Sequence, residues 1–159
     1  MVFGGGGPNK KRFNSVNILD WTSKEWIEIE PKENENAPWE RTYHAAELVY
    51  PYLIVYGGEG IADMDDLWIF NFLTLSWTEV PIDKENKSRP CARRFHSSAL
   101  VGNEFFIIAG CHGKYRPLND VYSIDLSPLL ETGNVEALEW KERKFKSSAF
   151  LTRWGQSSC

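Results

Sequence analysis

An apolar run closed by a pair of small residues occurs three times in this chain, as VFGGGG at 2–7, VYGGEG at 55–60 and IAGCHG at 108–113. Gly4-Gly5, Gly57-Gly58 and Ala109-Gly110 stand 53 and 52 residues apart, and a period near fifty constrains the fold more than any composition figure. Other landmarks keep step with it. The runs SVNILD at 15–20, DLWIFN at 66–71 and DVYSID at 120–125 alternate like half-buried strands, and each is followed by a tryptophan opening a further short strand: Trp26, Trp77 and Trp140. The segments PWERTYHAAELV at 38–49 and PCARRFHSSALV at 90–101 share the spacing P-x-x-R-x-x-H. The C-terminal FLTRWGQSSC keeps the arginine as Arg153 and has Gln156 where the histidine is expected.

Each unit therefore holds four short strands and leaves almost no room for helix. Gly102-Asn103 is a tight-hairpin signal between the last two strands before a glycine pair, and Tyr50-Pro51-Tyr52 sits at the equivalent place, so neighbouring strands are antiparallel. The spacing from Trp77 to Trp140 is 63 residues rather than 51, which marks LSPLLETGNVEALEW at 126–140 as an insertion containing a short turn of helix. We read it as a decoration of its unit.

Bulk properties set the outer limits. With 159 residues, 42% hydrophobic and 25% charged, the chain is long enough for one substantial core and is not composed like a disordered segment. A net charge of −4 provides no basic footprint for nucleic acid or an anionic membrane. Cys91, Cys111 and Cys159 are odd in number and widely spaced, unlike a disulfide framework or a zinc site, and fit a reducing compartment. The N-terminus lacks an apolar leader core and no stretch is long enough to span a bilayer, so the expected location is cytoplasm or nucleus.

Four strands per fifty residues, a glycine pair after the second strand and a tryptophan opening the fourth resemble the kelch repeat along essentially the whole chain. The resemblance implies an all-β fold in which each repeat is one blade of a β-propeller around a central channel. Blade segments fall at about 1–37, 38–89 and 90–149, with 150–159 a spare first strand. With the strands of a blade lettered a to d from the channel outward, the chain reads bcd, abcd, abcd, a. That is about three blades, a partial propeller. It is expected either as a piece of a longer kelch protein or as half of a six-bladed ring completed by a second copy. The glycine pairs are expected to end strand b where a side chain would clash, and the tryptophans to fill the wedges between blades. Ala109 in place of a first glycine is expected to be tolerated in a β conformation, and Ser15 stands where the other repeats have Asp66 and Asp120.

Catalytic and metal-binding patterns are weak. His44 and His96 share a repeat position, but Gln156 at the third copy is a poor ligand, and hydrogen bonding within the inner strand is the better reading. Cys111-His112 is adjacent rather than ligand-spaced. ADMDD at 62–66 lacks the glycine and terminal glutamate of a calcium loop, and the glycine runs lack the lysine and following helix of a phosphate-binding loop. No metal and no cofactor are expected. Loops b to c and d to a emerge at the same end of an up-and-down blade, the face with which kelch proteins commonly bind partners. On it we place Arg41, Arg93, Arg94, Arg153, Lys114, Tyr115 and Arg116, with Trp39 and Tyr43 nearby, as a cationic, aromatic-edged rim for an acidic or phosphorylated segment. The competing reading is that the recurring arginine pairs with acids of a neighbouring blade. Lys-Glu-Asn appears in both d-to-a loops, at 32–34 and 84–86, a composition that charged loops produce without a role. Two function classes follow. One is a non-catalytic interaction module, used as a substrate-recognition or adaptor part of a larger protein. The other is part of a metal-dependent propeller enzyme, or a regulatory domain beside a catalytic one such as a phosphatase. The copper enzymes of this architecture need a tyrosine, cysteine and histidine constellation and the iron-dependent ones an acid and histidine set, and neither pattern is visible, which favours the interaction module.

Overall fold

The computed structural model describes residues 1–31, 36–81, 88–114, 116–145, 152, 153 and 155. They form three antiparallel sheets. The first comprises β1 (Val2–Phe3), β2 (Val16–Leu19) and β3 (Trp26–Ile29). The second comprises β4 (Ala45–Val49), β5 (Tyr52–Glu59), β6 (Asp63–Asn71) and β7 (Ser76–Glu79). The third comprises β8 (Ser97–Val101), β9 (Glu104–His112), β10 (Arg116–Asp125) and β11 (Trp140–Glu142). Within each sheet the strands pair in chain order, so the three sheets are bcd, abcd and abcd, a partial propeller. The expected spare strand at 150–159 lies mostly outside the described residues. No helix among the described residues is long and apolar enough to cross a membrane.

Alternation explains how the blades stack. In β5 and β6, Leu53, Val55, Trp68 and Phe70 point to one side and join Phe3, Val16 and Trp77 in the core between the first two sheets. Ile54, Tyr56, Leu67 and Ile69 point to the other side and meet Phe105, Ile107, Ile124 and Trp140. Because period-two side chains face opposite ways, the second sheet is buried on both faces and reads as near-continuous apolar runs. The tryptophans that open the outer strands fill the wedges as expected. Trp77 lies 5.0 Å from the Phe3 ring of the preceding sheet, and Trp140 lies 5.2 Å from Tyr56. Trp26, at the same repeat position in the first sheet, meets no neighbouring sheet among the described residues and is 57% exposed.

Three sequence expectations need correction. Two of the three pairs do not end strand b: β5 runs on through Gly57-Gly58 and β9 through Ala109-Gly110, and the ladder to the next strand shifts register beside each, so the pair forms a bulge, whereas β1 does end at Phe3, before Gly4-Gly5. Ala109 is not in a β conformation. Its φ is +54°, beside +62° at Gly57, the equivalent residue, so the alanine accepts a left-handed backbone that costs about 1–2 kcal/mol. The insertion is more than decoration. Its helix α1 (Ser127–Thr132) places Leu126 and Leu129, with Leu138 beyond, in the core between the second and third sheets. Gly133, left-handed at φ +71°, closes that helix by donating its N–H to Leu129 O.

The glycine pairs also carry the seam between blades. A side-chain carbon on Gly57 would stand 2.9 Å from Arg93 O, in the next blade, and one on Gly58 2.7 Å from Thr42 O, in its own. Close backbone approach, added to positive φ, explains why small residues recur here. The second residue of each pair donates its N–H to an arginine carbonyl one blade on: Gly5 to Arg41, Gly58 to Arg93 and Gly110 to Arg153, at 2.9, 2.9 and 3.0 Å. Each arginine N–H returns to the preceding blade, at Phe13, Met64 and Leu118. Arg153 thus occupies the third copy of a rung first read from sequence spacing.

Candidate functional site

The loops at one end of the sheets carry the candidate site. Arg12, from the first b-to-c loop, Trp39 and Glu40, from the first d-to-a loop, and Ile61, Asp63 and Met64, from the second b-to-c connection, line one hollow of about 390 Å³. The two kinds of loop therefore meet at the same end. Trp39 is 75% exposed and Ile61 wholly so, which leaves two large apolar side chains in water at the rim.

Arg41 and Arg93, expected on this face, are not available to a partner. Both are fully buried. The Arg41 guanidinium donates to both Asp66 oxygens at 2.7 Å, to Gly57 O at 3.0 Å and, through Nε, to Trp39 O at 3.0 Å. Arg93 repeats the arrangement, donating to Asp120 at 2.6 and 2.9 Å, to Ala109 O at 2.9 Å and to Cys91 O at 3.1 Å. Burial opposes the charge of Arg93, but the hydrogen bonds and attraction to Asp120 outweigh it and hold its pKa above the usual arginine range. The planar fork satisfies a carboxylate and a bulged carbonyl together, which a lysine could not do. The partner acid belongs to the same blade, not to a neighbouring one.

The remaining candidates divide. Arg94 lies 2.7 Å from Glu59 and 3.4 Å from Asp63, and donates to Gly113 O at 3.2 Å, so it knits the second b-to-c loop to the third. Asp63 also accepts from the Gly113 N–H at 2.5 Å. Arg116, Arg153 and Lys114 are exposed, whereas Tyr115 and both Lys-Glu-Asn segments lie outside the described residues. Tyr43 is 51% exposed and its ring sits 4.2 Å from Phe95, the equivalent residue one blade on. Both have left-handed backbones, φ +57° and +55°, unusual for bulky residues, and the N–H of Phe95 donates to Tyr43 O.

Residue reading along the repeat missed a cationic group in the first b-to-c loop. Lys10, Lys11 and Arg12, with Gly6, Gly7 and Tyr43, line a second hollow of about 210 Å³. The run KKR was visible in the sequence, but its only cationic counterparts are Lys114 and Arg116 in the third repeat, and the second repeat has ADMDD there, so it did not register as a landmark common to all copies.

His44 and His96 stand immediately before the inner strands β4 and β8 rather than within them. Among the described residues, Nδ1 of His44 and both ring nitrogens of His96 have no hydrogen-bond partner, and the rings pack edge-on against Phe3 and Tyr56. Burial, reinforced by the nearby Arg41 and Arg93 charges, pushes their pKa values down to about 4 and about 3. Among the described residues no group of three or more histidine, cysteine, aspartate or glutamate side chains is placed to hold a metal ion.

Comparison with known proteins agrees with this architecture. Residues 1–159 match the KLHDC2/KLHL20/DRC7 Kelch-repeats domain. The chain is 32% identical to Kelch domain-containing protein 10 of Xenopus tropicalis over 114 residues, 68% of this chain and 27% of that protein. It is 34% identical to Host cell factor homolog hcf-1 of Caenorhabditis elegans over 97 residues, 60% of this chain and 10% of that protein. Acyl-CoA-binding domain-containing protein 5 of Arabidopsis thaliana is 28% identical over 116 residues, 72% of this chain and 17% of that protein. The matched region thus spans from a tenth to about a quarter of these relatives' lengths. A repeat of bulged glycine pairs, wedge tryptophans and four-stranded sheets, together with a family match along its whole length, makes this chain a member of the kelch-repeat family.

Proposed function

We propose that the chain is a non-catalytic interaction module that holds a peptide or protein segment on its loop face, as the substrate-recognition or adaptor part of a larger protein. The observation that carries the reading is the hollow of about 390 Å³ edged by exposed Trp39 and Ile61, built from three separate loops. Large apolar side chains beside charged ones are the usual ingredients of a recognition hot spot. Loops on a rigid scaffold are also where binding residues concentrate. The partner we favour remains an acidic or phosphorylated segment, with the cations of the loop face as its counterpart.

The test is comparative capture from cell lysate. The intact chain, a loop-face variant Trp39→Ala with Ile61→Asp, and an opposite-end variant Leu73→Asp are used as baits under identical conditions. Proteins held by the intact chain and by Leu73→Asp, and lost from the loop-face variant, support the reading. An unchanged set on the loop-face variant overturns it.

A further inference from the structure

The two hollows on the loop face share a wall, and that wall is Arg12. We infer that they are halves of one peptide site, which takes an apolar side chain against Trp39, Ile61 and Met64 and, beside it, an anionic side chain against Lys10 and Lys11. This rests on the loop-face reading above and deepens it by naming the chemistry of the segment bound.

Charge decides the basic half. Lys10 and Lys11 are exposed, and Lys11 Nζ is held 4.8 Å from the centre of the Phe13 ring. The carboxylate on that hollow, Glu59, is already engaged by Arg94 at 2.7 Å and by Arg12 at 3.9 Å. Asp63 is engaged by Arg94 and by the Gly113 N–H. Lys10, Lys11, Arg12 and Arg94 set against Glu40, Glu59 and Asp63 leave four positive charges facing three negative ones across the two hollows, and three facing the single Glu59 in the basic half, a local reversal on a chain whose net charge is −4. Lys10 and Lys11 meet no carboxylate among the described residues, and a phosphate or carboxylate from outside is the complementary group.

Shape decides the rest. Gly6 and Gly7 keep the floor of the basic half low: a side-chain carbon on Gly7 would stand 2.9 Å from the Phe13 ring, and one on Gly6 3.3 Å from Thr42 Cγ2. In the apolar half a side chain at Gly60 would collide with Met64, so Met64 lies across that glycine as the floor. Trp39 and Ile61 stand exposed at its edge. Since one arginine borders both hollows, the apolar and anionic side chains belong on adjacent or nearly adjacent residues of the bound segment.

The experiment uses the 159-residue chain and a positional-scanning library of short peptides whose fixed central residue is phosphoserine, glutamate or serine. Leucine, isoleucine, methionine or phenylalanine should be selected next to a central phosphoserine or glutamate, and the serine library should bind roughly tenfold or more weakly. The phosphoserine and glutamate arms identify which source of negative charge the site prefers. Lys10→Glu with Lys11→Glu should erase the preference for the anion while keeping the apolar selection, and Trp39→Ala should do the reverse. Thermal melts of all variants are to match the parent. Anion preference that survives the lysine reversal, or no anion preference in the parent, overturns the two-part site. If the apolar selection alone remains, or if lysate capture still depends on Trp39 and Ile61 when no library peptide binds, the loop-face reading stands without it.

Discussion

Arg41 and Arg93 carry the same charge as Lys10 and Lys11 and lie toward the same end of the molecule, yet the arginines are wholly buried and the lysines stand in water. The arginines recur at the same repeat position, each with a matching aspartate and a glycine-bulge carbonyl. The lysines do not recur in every copy: the second b-to-c connection reads ADMDD, while the third, GKYR, keeps two cations, Lys114 and Arg116. Features locked to the period report how blades are built and joined, whereas features that break the period sit at the rim and report what one particular propeller does. A cation judged by charge alone reads as a binding residue in both places. Its register against the repeat separates the two.

The sharpest way to break this contrast is to remove one seam arginine. Arg93→Met leaves Asp120 and Ala109 O without their partner and should cost about 3–5 kcal/mol, read from the midpoint of urea unfolding. A loss below about 1 kcal/mol would make Arg93 an ordinary surface cation.

Acid tests the same seam through its histidines. The folded pKa values of His44 and His96, about 4 and about 3, lie below the 6.5 of an unperturbed histidine, so the unfolded chain takes up protons that the folded chain refuses. Their contribution is complete above about pH 6.5 and is lost as pH falls toward 4 and 3. Moving from pH 7.5 to pH 5 should remove about 4 kcal/mol through this pair. His96→Phe should remove about half of that dependence. Stability that stays flat over this range would show that the rings are hydrated rather than sealed in the seam.

At the rim the expected effect is the smallest. Lys10→Glu and Lys11→Glu should each shift stability by less than about 0.5 kcal/mol while changing peptide selection, since both lysines are exposed and meet no carboxylate among the described residues. A destabilisation as large as that of Arg93→Met would place the KKR loop in the blade framework and erase the contrast.

Much of the fold was legible because the landmarks recur. The spacing of the glycine pairs, Trp77 and Trp140 yielded the strand order and the wedge residues. The P-x-x-R-x-x-H spacing located the inner strands and the position of Arg153. What was not legible depended on contacts made across the blade. Arg41 and Asp66 lie 25 residues apart, and Arg93 and Asp120 27, so their pairing appears only when strands a and c come together. The recurrence of Asp66 and Asp120, set against Ser15, was the available signal. The left-handed backbone of Ala109 was hidden for a different reason, since a bulge is a property of the ladder rather than of one residue. Lys10 and Lys11 were hidden because the second copy has acids in that loop, so no cation there recurs through all three copies.

The insertion between β10 and β11 has a practical side. It hangs from the end of the blades opposite the loop rim, where Leu126 donates its N–H to Asn103 O in the hairpin between β8 and β9. Its leucines face the core, while Gly133, Asn134, Glu136 and Ala137 are exposed. The molecule is thus two-ended. Tethering it to a surface or a fluorophore through residues 133–137 would leave Lys10, Lys11, Trp39 and Ile61 pointing away from the support, and extra sequence accepted there would lengthen the chain without redrawing the surface it shows to others.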